Sequence, residues 1–110
     1  MTPTEVRTMV TSMGLVYDND HPDHITRSKL QTLSPPFAEY ILEDHPIWAD
    51  GRRYISDIYD MTLRIYSEYE TAEVEETVQA VFASYDLRWK REVQYIDELR
   101  LFAIIYTTEV

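Results

Sequence analysis

The chain reads as an α+β protein. The expected architecture is a mixed, mainly antiparallel sheet of about four strands, with an amphipathic helix packed on it and a short N-terminal helix, in the order α-β-β-α-β-β. Three observations predict it. Apolar residues recur at helical spacing in two segments, Val6 to Met13 and Val74 to Tyr85, and alternate with period two around Tyr59 to Ile65 and Leu87 to Tyr95. An Asp50-Gly51 pair, the strongest short hairpin signal, sits between extended-looking segments. The run Leu101, Phe102, Ala103, Ile104 and Ile105 is nearly all apolar, as expected of a central strand covered on both sides.

At the N-terminus, Thr2 is placed to cap a helix, Pro3 fits its first position, and Glu5 completes a capping box. Val6, Met9, Val10 and Met13 form one stripe, and Gly14 stands where a glycine ends a helix, with Leu15 packing back. Residues 17–36 carry the turn-rich run Tyr17 to His24 and the punctuation Ser34-Pro35-Pro36. A loop of this length is usually functional or mobile. The chain is thus expected to form a single domain over residues 1–110, with a helix at 1–14, a loop at 15–36 and a hairpin–helix–hairpin core at 37–110.

Within that core, Phe37 to Leu42 reads as a strand, and a long strand is expected from Arg53 to Tyr66 or beyond. Tyr59, Met61, Leu63 and Ile65 lie on a buried face, with Asp60, Thr62, Arg64 and Glu68 on a wet one. The period then switches from two to 3.6. Thr71 caps a helix running to Tyr85, Glu73, Glu75 and Glu76 favour its positive end, and Val74, Val78, Val81, Phe82 and Tyr85 form its stripe. Leu87, Trp89, Val93 and Tyr95 alternate with Arg88, Lys90, Glu92 and Gln94. A tight turn at Ile96-Asp97-Glu98 leads into the strand Leu99 to Thr108.

Composition bounds the function. At 110 residues the chain has the size of one domain. Hydrophobic residues make up 45%, enough for one core. The absence of cysteine removes disulfides, thiolate zinc sites and cysteine nucleophiles. The start of the chain lacks a signal-peptide pattern, and no apolar run approaches the roughly 20 residues of a membrane span. A formal charge of −10 disfavours direct binding to phosphate backbones.

No catalytic, cofactor-binding or metal residue is assigned. The Asp18 to His24 run has metal-ligand types but fails the calcium-loop pattern, because its sixth and twelfth positions hold Asp23 and Lys29. His21 and His24 lack the spacing of a zinc protease. With only Gly14 and Gly51, no glycine-rich phosphate cradle forms. No nucleophile elbow occurs. The expectation is a protein that is not an enzyme and takes no cofactor.

Two charge features remain. Arg52-Arg53 and Arg88-Trp89-Lys90-Arg91 are the basic clusters. They read first as cross-strand partners of Asp57, Asp60 or Glu92 on the wet face, and second as a contact patch for an acidic neighbour. From Asp57 to Glu76 seven acids (Asp57, Asp60, Glu68, Glu70, Glu73, Glu75, Glu76) face one base, Arg64, which is more than helix capping requires. That run motivates an alternative function: an acidic DNA mimic that inhibits a host nuclease or restriction system. A generic α+β binding module is a third reading.

Several of these segments together carry a family likeness. They are Pro36-Phe37-Ala38-Glu39-Tyr40, then Trp48-Ala49-Asp50-Gly51-Arg52-Arg53-Tyr54, then Leu63-Arg64-Ile65-Tyr66. The second group is Glu73-Val74-Glu75-Glu76, Tyr95-Ile96-Asp97-Glu98-Leu99 and Ile105-Tyr106-Thr107-Thr108-Glu109-Val110. The chain resembles the tail terminator (tail completion, head–tail joining) proteins of long-tailed phages, most strongly from Phe37 to Val110. It differs from the usual pattern in its long Tyr17 to Ser34 segment and in Tyr69-Glu70 between strand and helix. The resemblance implies a structural virion protein made in the host cytoplasm. It would form a homo-oligomeric ring, usually a hexamer, that caps the tail tube and joins it to the head. The implied partners are further copies of itself, the major tail tube protein and the head completion or connector protein. DNA passes through the ring without specific binding, and no membrane is involved. Residues expected at the interfaces are Trp48, Asp50, Arg52, Arg53, Tyr69, Glu70, Arg88 and Trp89.

Overall fold

In the computed structural model the described residues are 1–16, 33, 35–44, 47–49, 52–54, 59–68 and 72–110, with backbone alone at 47–49 and 52–54. The elements are α1 (Pro3–Thr11), β1 (Phe37–Asp44), β2 (Ile47–Ala49), β3 (Arg52–Tyr54), β4 (Tyr59–Ser67), α2 (Ala72–Ser84), β5 (Trp89–Ile96) and β6 (Leu101–Glu109). Four strands form one sheet in the order β1-β4-β6-β5, and β2 pairs with β3 in a separate two-stranded sheet. All three ladders of the larger sheet are antiparallel. Among the described residues the one parallel contact is an isolated bridge from Val16 to Ala38. The fold is α+β, and the main sheet and helices follow the order α-β-β-α-β-β.

The long strand expected from Arg53 to Tyr66 or beyond corresponds to two described strands. Arg53 belongs to β3 and pairs with Trp48, whereas Tyr59–Ser67 is β4 and pairs with β1. Residues 55–58 between them lie outside the described residues. The β2–β3 pair falls in the chain between β1 and β4, on either side of the expected Asp50-Gly51 turn. Positions 50 and 51 themselves lie outside the described residues.

The local signals at the helix ends act as chemistry demands. The Thr2 hydroxyl accepts from the Glu5 N–H at 3.2 Å and the Glu5 carboxylate accepts from the Thr2 N–H at 3.1 Å. Those bonds hold the Glu5 carboxyl below the ordinary carboxylate range. Helix α1 stops at Thr11, and Gly14 follows two residues beyond the capping Ser12 with φ of 72°, a left-handed geometry that glycine adopts without strain. The expected cap of α2, Thr71, lies outside the described residues. Its other end closes without glycine. Asp86 takes φ of 57°, and the Leu87 N–H reaches back to the Phe82 carbonyl at 3.0 Å, the six-to-one bond of a Schellman ending. Aspartate is among the few non-glycine residues that enter this region readily.

Both helices pack on one face of the sheet. Val6, Met9 and Val10 of α1 and Val78 and Phe82 of α2 meet Met61, Leu63 and Ile65 of β4 and Ile104 and Tyr106 of β6, all fully buried. The predicted stripe of α2 holds except at its end, where Tyr85 is exposed, because the chain turns away after Ser84. The opposite face is not uniformly wet as expected. Phe37, Tyr66, Leu101 and Ala103 form a second buried cluster there, with Leu33, Ile96, Leu99 and Ile105 against it. The final strand is accordingly covered on both sides over its first half, while Thr107 and Glu109 are exposed. It starts two residues later than expected, because Asp97 to Arg100 form the turn and Arg100 takes φ of 53°.

Candidate interaction surface

The two edges of the main sheet differ. At β1, the Leu15 carbonyl takes the Ala38 N–H at 2.8 Å, so the segment after α1 occupies that end of the edge. Among the described residues β5 pairs with β6 alone, and each residue of β5 is exposed or half-buried. Register decides which way its side chains point. Trp89, Arg91, Val93 and Tyr95 share the helix-covered face with their partners Thr108, Tyr106, Ile104 and Phe102. Lys90, Glu92, Gln94 and Ile96 share the other.

Trp89 and Tyr95 remain 37% and 53% exposed even on the helix-covered face. Period two correctly put Leu87, Trp89, Val93 and Tyr95 together. Periodicity cannot report that the strand is an edge. Each ring is still fixed by a neighbour: Trp89 meets Tyr106 edge-on at 5.2 Å and 78°, and Tyr95 meets Phe102 at 5.1 Å and 62°.

A polar network ties this edge to α2. The Arg91 guanidinium grips Glu75 through two nitrogens, Nε to Oε1 and Nη2 to Oε2, the latter at 3.2 Å. The Tyr106 hydroxyl donates to Glu75 Oε1 at 2.8 Å and accepts from Gln79 Nε2 at 3.1 Å. Burial pushes the Glu75 carboxyl up, but the hydrogen bonds from Arg91 and Tyr106, with the charge of Arg91, outweigh it and hold the group below the usual range. The Tyr106 hydroxyl is pushed up, chiefly by burial, with Glu75 adding to the effect. For Arg91 the expectation of a wet-face partner is corrected. Arg91 pairs across to the helix, and Asp57 lies outside the described residues.

Arg91→Leu is expected to cost about 1 kcal/mol in urea unfolding, because Glu75 keeps its tyrosine donor but loses its cation. In a double-mutant cycle with Glu75→Gln most of that loss should vanish, and an additive cycle would show that the pair is not coupled. The sign with pH follows from the lowered carboxyl. The contribution of Glu75 is present above the unfolded carboxylate range and is lost as pH falls through its lower folded value.

The predicted interface residues fall in separate places. Arg88 and Trp89 stand at the exposed start of β5. With Asp60, Lys90, Thr107, Thr108 and Glu109 they line an open cleft of about 380 Å³. The Thr108 hydroxyl donates to the Arg88 carbonyl there. Trp48, Arg52 and Arg53 fall in the two-stranded β2–β3 sheet, where Trp48 pairs with Arg53 and Ala49 with Arg52. Asp50, Tyr69 and Glu70 lie outside the described residues, as does the Asp18 to His24 run.

The acids of the 57–76 stretch also separate. Asp60 is on the face away from the helices, Glu75 is engaged by Arg91, and Glu68, Glu73 and Glu76 are exposed. Sequence reasoning missed the Glu75–Arg91–Tyr106 network and a second one on the far face. There the Tyr66 hydroxyl donates to the buried Glu39 at 2.9 Å, and Arg64 stands 3.8 Å from the same carboxylate. Only the β1–β4 register, which sets Glu39 opposite Arg64, signals the latter. No helix among the described residues is long and apolar enough to cross a membrane. Compared with protein families, curated proteins and solved structures, the chain shows no match.

Proposed function

We propose that this chain is a subunit of a ring that caps a phage tail tube and joins it to the head connector, a tail terminator. The observation that carries the reading is the edge at β5, an open strand bearing exposed Trp89 and Tyr95 and cations at its start. An open edge is a template for pairing with another chain, and a protein that keeps one aromatic and rigidly held has a use for it. The likeness of Phe37 to Val110 to tail terminators supplies the kind of assembly. In that assembly each copy contacts its neighbour through two different patches, as ring closure requires. Six copies, at −10 each, carry a formal charge of −60 around the passage for DNA. Such a field keeps passing DNA from adhering. The protein acts by position and shape, without catalysis or cofactor, and its partners are its own copies, the tail tube protein and the connector.

Tails assembled without the chain are expected to have uncontrolled length and to fail to join heads, seen directly by electron microscopy. Tubes of normal length that still join heads would reject the reading. The DNA-mimic alternative is less well supported, because Glu75 is engaged by Arg91 and Asp60 faces away from the α2 acids, which breaks up a phosphate-like row.

A further inference from the structure

We infer that neighbouring copies join sheet to sheet, the β5 edge of one pairing antiparallel with the Ile41–Asp44 end of β1 in the next. This rests on the ring reading and names the surface that would build it. Three antiparallel steps separate β1 from β5 in the order β1-β4-β6-β5, so the two edges run in opposite directions. A copy related by rotation about an axis along the strands therefore presents its β1 antiparallel to β5, and the ladder continues across the junction.

Charge and exposure agree with the direction. The start of β5 carries exposed Arg88 and Lys90, and the end of β1 carries exposed Glu43 and Asp44. Four large hydrophobic side chains are exposed among the described residues, and three of them, Ile41, Trp89 and Tyr95, stand on these two strands. The other end of β1 is held by Leu15 at Ala38, which confines the pairing to the acidic end.

One register satisfies the charges. Lys90 opposite Glu43 places Glu92 opposite Ile41, Arg91 opposite Leu42 and Trp89 opposite Asp44. Lys90, Glu92, Ile41 and Glu43 all belong to the face away from the helices, so the pleat is continuous. A slip of two residues either way sets Glu92 against Glu39 or against Glu43, and a slip of one turns each strand's faces over.

The test is a charge exchange read by sedimentation velocity over a concentration series. Wild-type protein is expected to associate. Lys90→Glu and Glu43→Lys should each weaken association about tenfold, since each replaces an attraction by a like-charge pair. The double variant should associate as wild type does. So should an equal mixture of the two single variants, because each then meets the complementary edge of the other. Circular dichroism of each variant checks that it is folded. Unchanged association of both single variants overturns the edge pairing and leaves the ring reading standing. A wild-type chain that stays monomeric overturns the pairing too, while tail length in the absence of the chain reports separately on the ring.

Discussion

Phe82→Ala is expected to lower the unfolding free energy by about 3–5 kcal/mol, the usual cost of emptying a fully buried aromatic site. Phe82 has no exposed surface and sits edge-on to Tyr106, ring centres 5.7 Å apart and planes at 72°. It is also the residue whose carbonyl receives the Leu87 N–H in closing α2. The ring thus lies where α2, its terminating turn and the central strand meet, and little around it can collapse into the space. Tyr106 would lose its packing partner on one side while still holding Glu75 and Gln79. A domain of this size is stable by roughly 5–15 kcal/mol in total, so the variant should lose a large share of its stability and unfold at a clearly lower temperature. Urea or thermal denaturation followed by circular dichroism measures the loss. A value under about 1 kcal/mol would mean that α2 does not pack on the sheet in this way.

The second large effect is alkaline. Tyr66 is pushed up to about 12, first by burial, then by the charge of Glu39 and its hydrogen bond to that carboxylate. In the unfolded chain the same phenol titrates near 10. The folded state therefore favours the neutral phenol. Its contribution is complete below about pH 10 and is lost as pH rises toward about 12, by roughly 2–3 kcal/mol for a gap of two pH units. Tyr106 is shifted in the same direction, so the wild-type slope contains both. Tyr66→Phe isolates the first. The variant should lose about 1 kcal/mol at neutral pH, where Glu39 loses its tyrosine donor, yet decline less steeply above pH 10. Equal alkaline slopes for variant and wild type would remove Tyr66 as the cause. The stacked Phe37 ring, 5.1 Å from Tyr66, should be undisturbed because the substitution keeps the ring.

Much of the architecture was legible because its signals are local. The capping box at Thr2 and Glu5 needs only adjacent residues, and both of its hydrogen bonds form. The stripe of α2 and the alternation in β4 each report one element's own periodicity. Signals that need a distant partner were harder to read. The sequence from Arg53 to Tyr66 alternates well enough to suggest one strand. Its two described parts pair in separate ladders, Arg53 with Trp48 and Tyr59 with Asp44, and residues 55–58 lie outside the described residues. The wet face was misjudged because Tyr66 and Phe37 sit at polar-face positions of their strands and bury each other there.

The candidate surface was half legible. The basic run at Arg88 to Arg91 and the aromatic at Trp89 stood out by residue type. Arg88 and Lys90 are exposed, whereas Arg91 is committed to Glu75, sixteen residues earlier in the chain. Nothing in the spacing of those two residues foretells the pair. It exists because the packing of α2 on the sheet brings Glu75 against Arg91 of β5, which is a property of the packed helix and not of either segment.

What the sequence determined by itself is the order of helices and strands in the main sheet and the sides that meet each other in the helix-covered core, because hydrophobic period, caps and turn residues act over a few positions and need no tertiary partner. Strand order was decided only by the tertiary structure. The placement of β6 in the centre and of β5 at the rim depends on which apolar face is covered by which helix, an energy summed over contacts far apart in the chain. That same placement left Trp89, Lys90 and Tyr95 exposed on the edge strand of the described sheet.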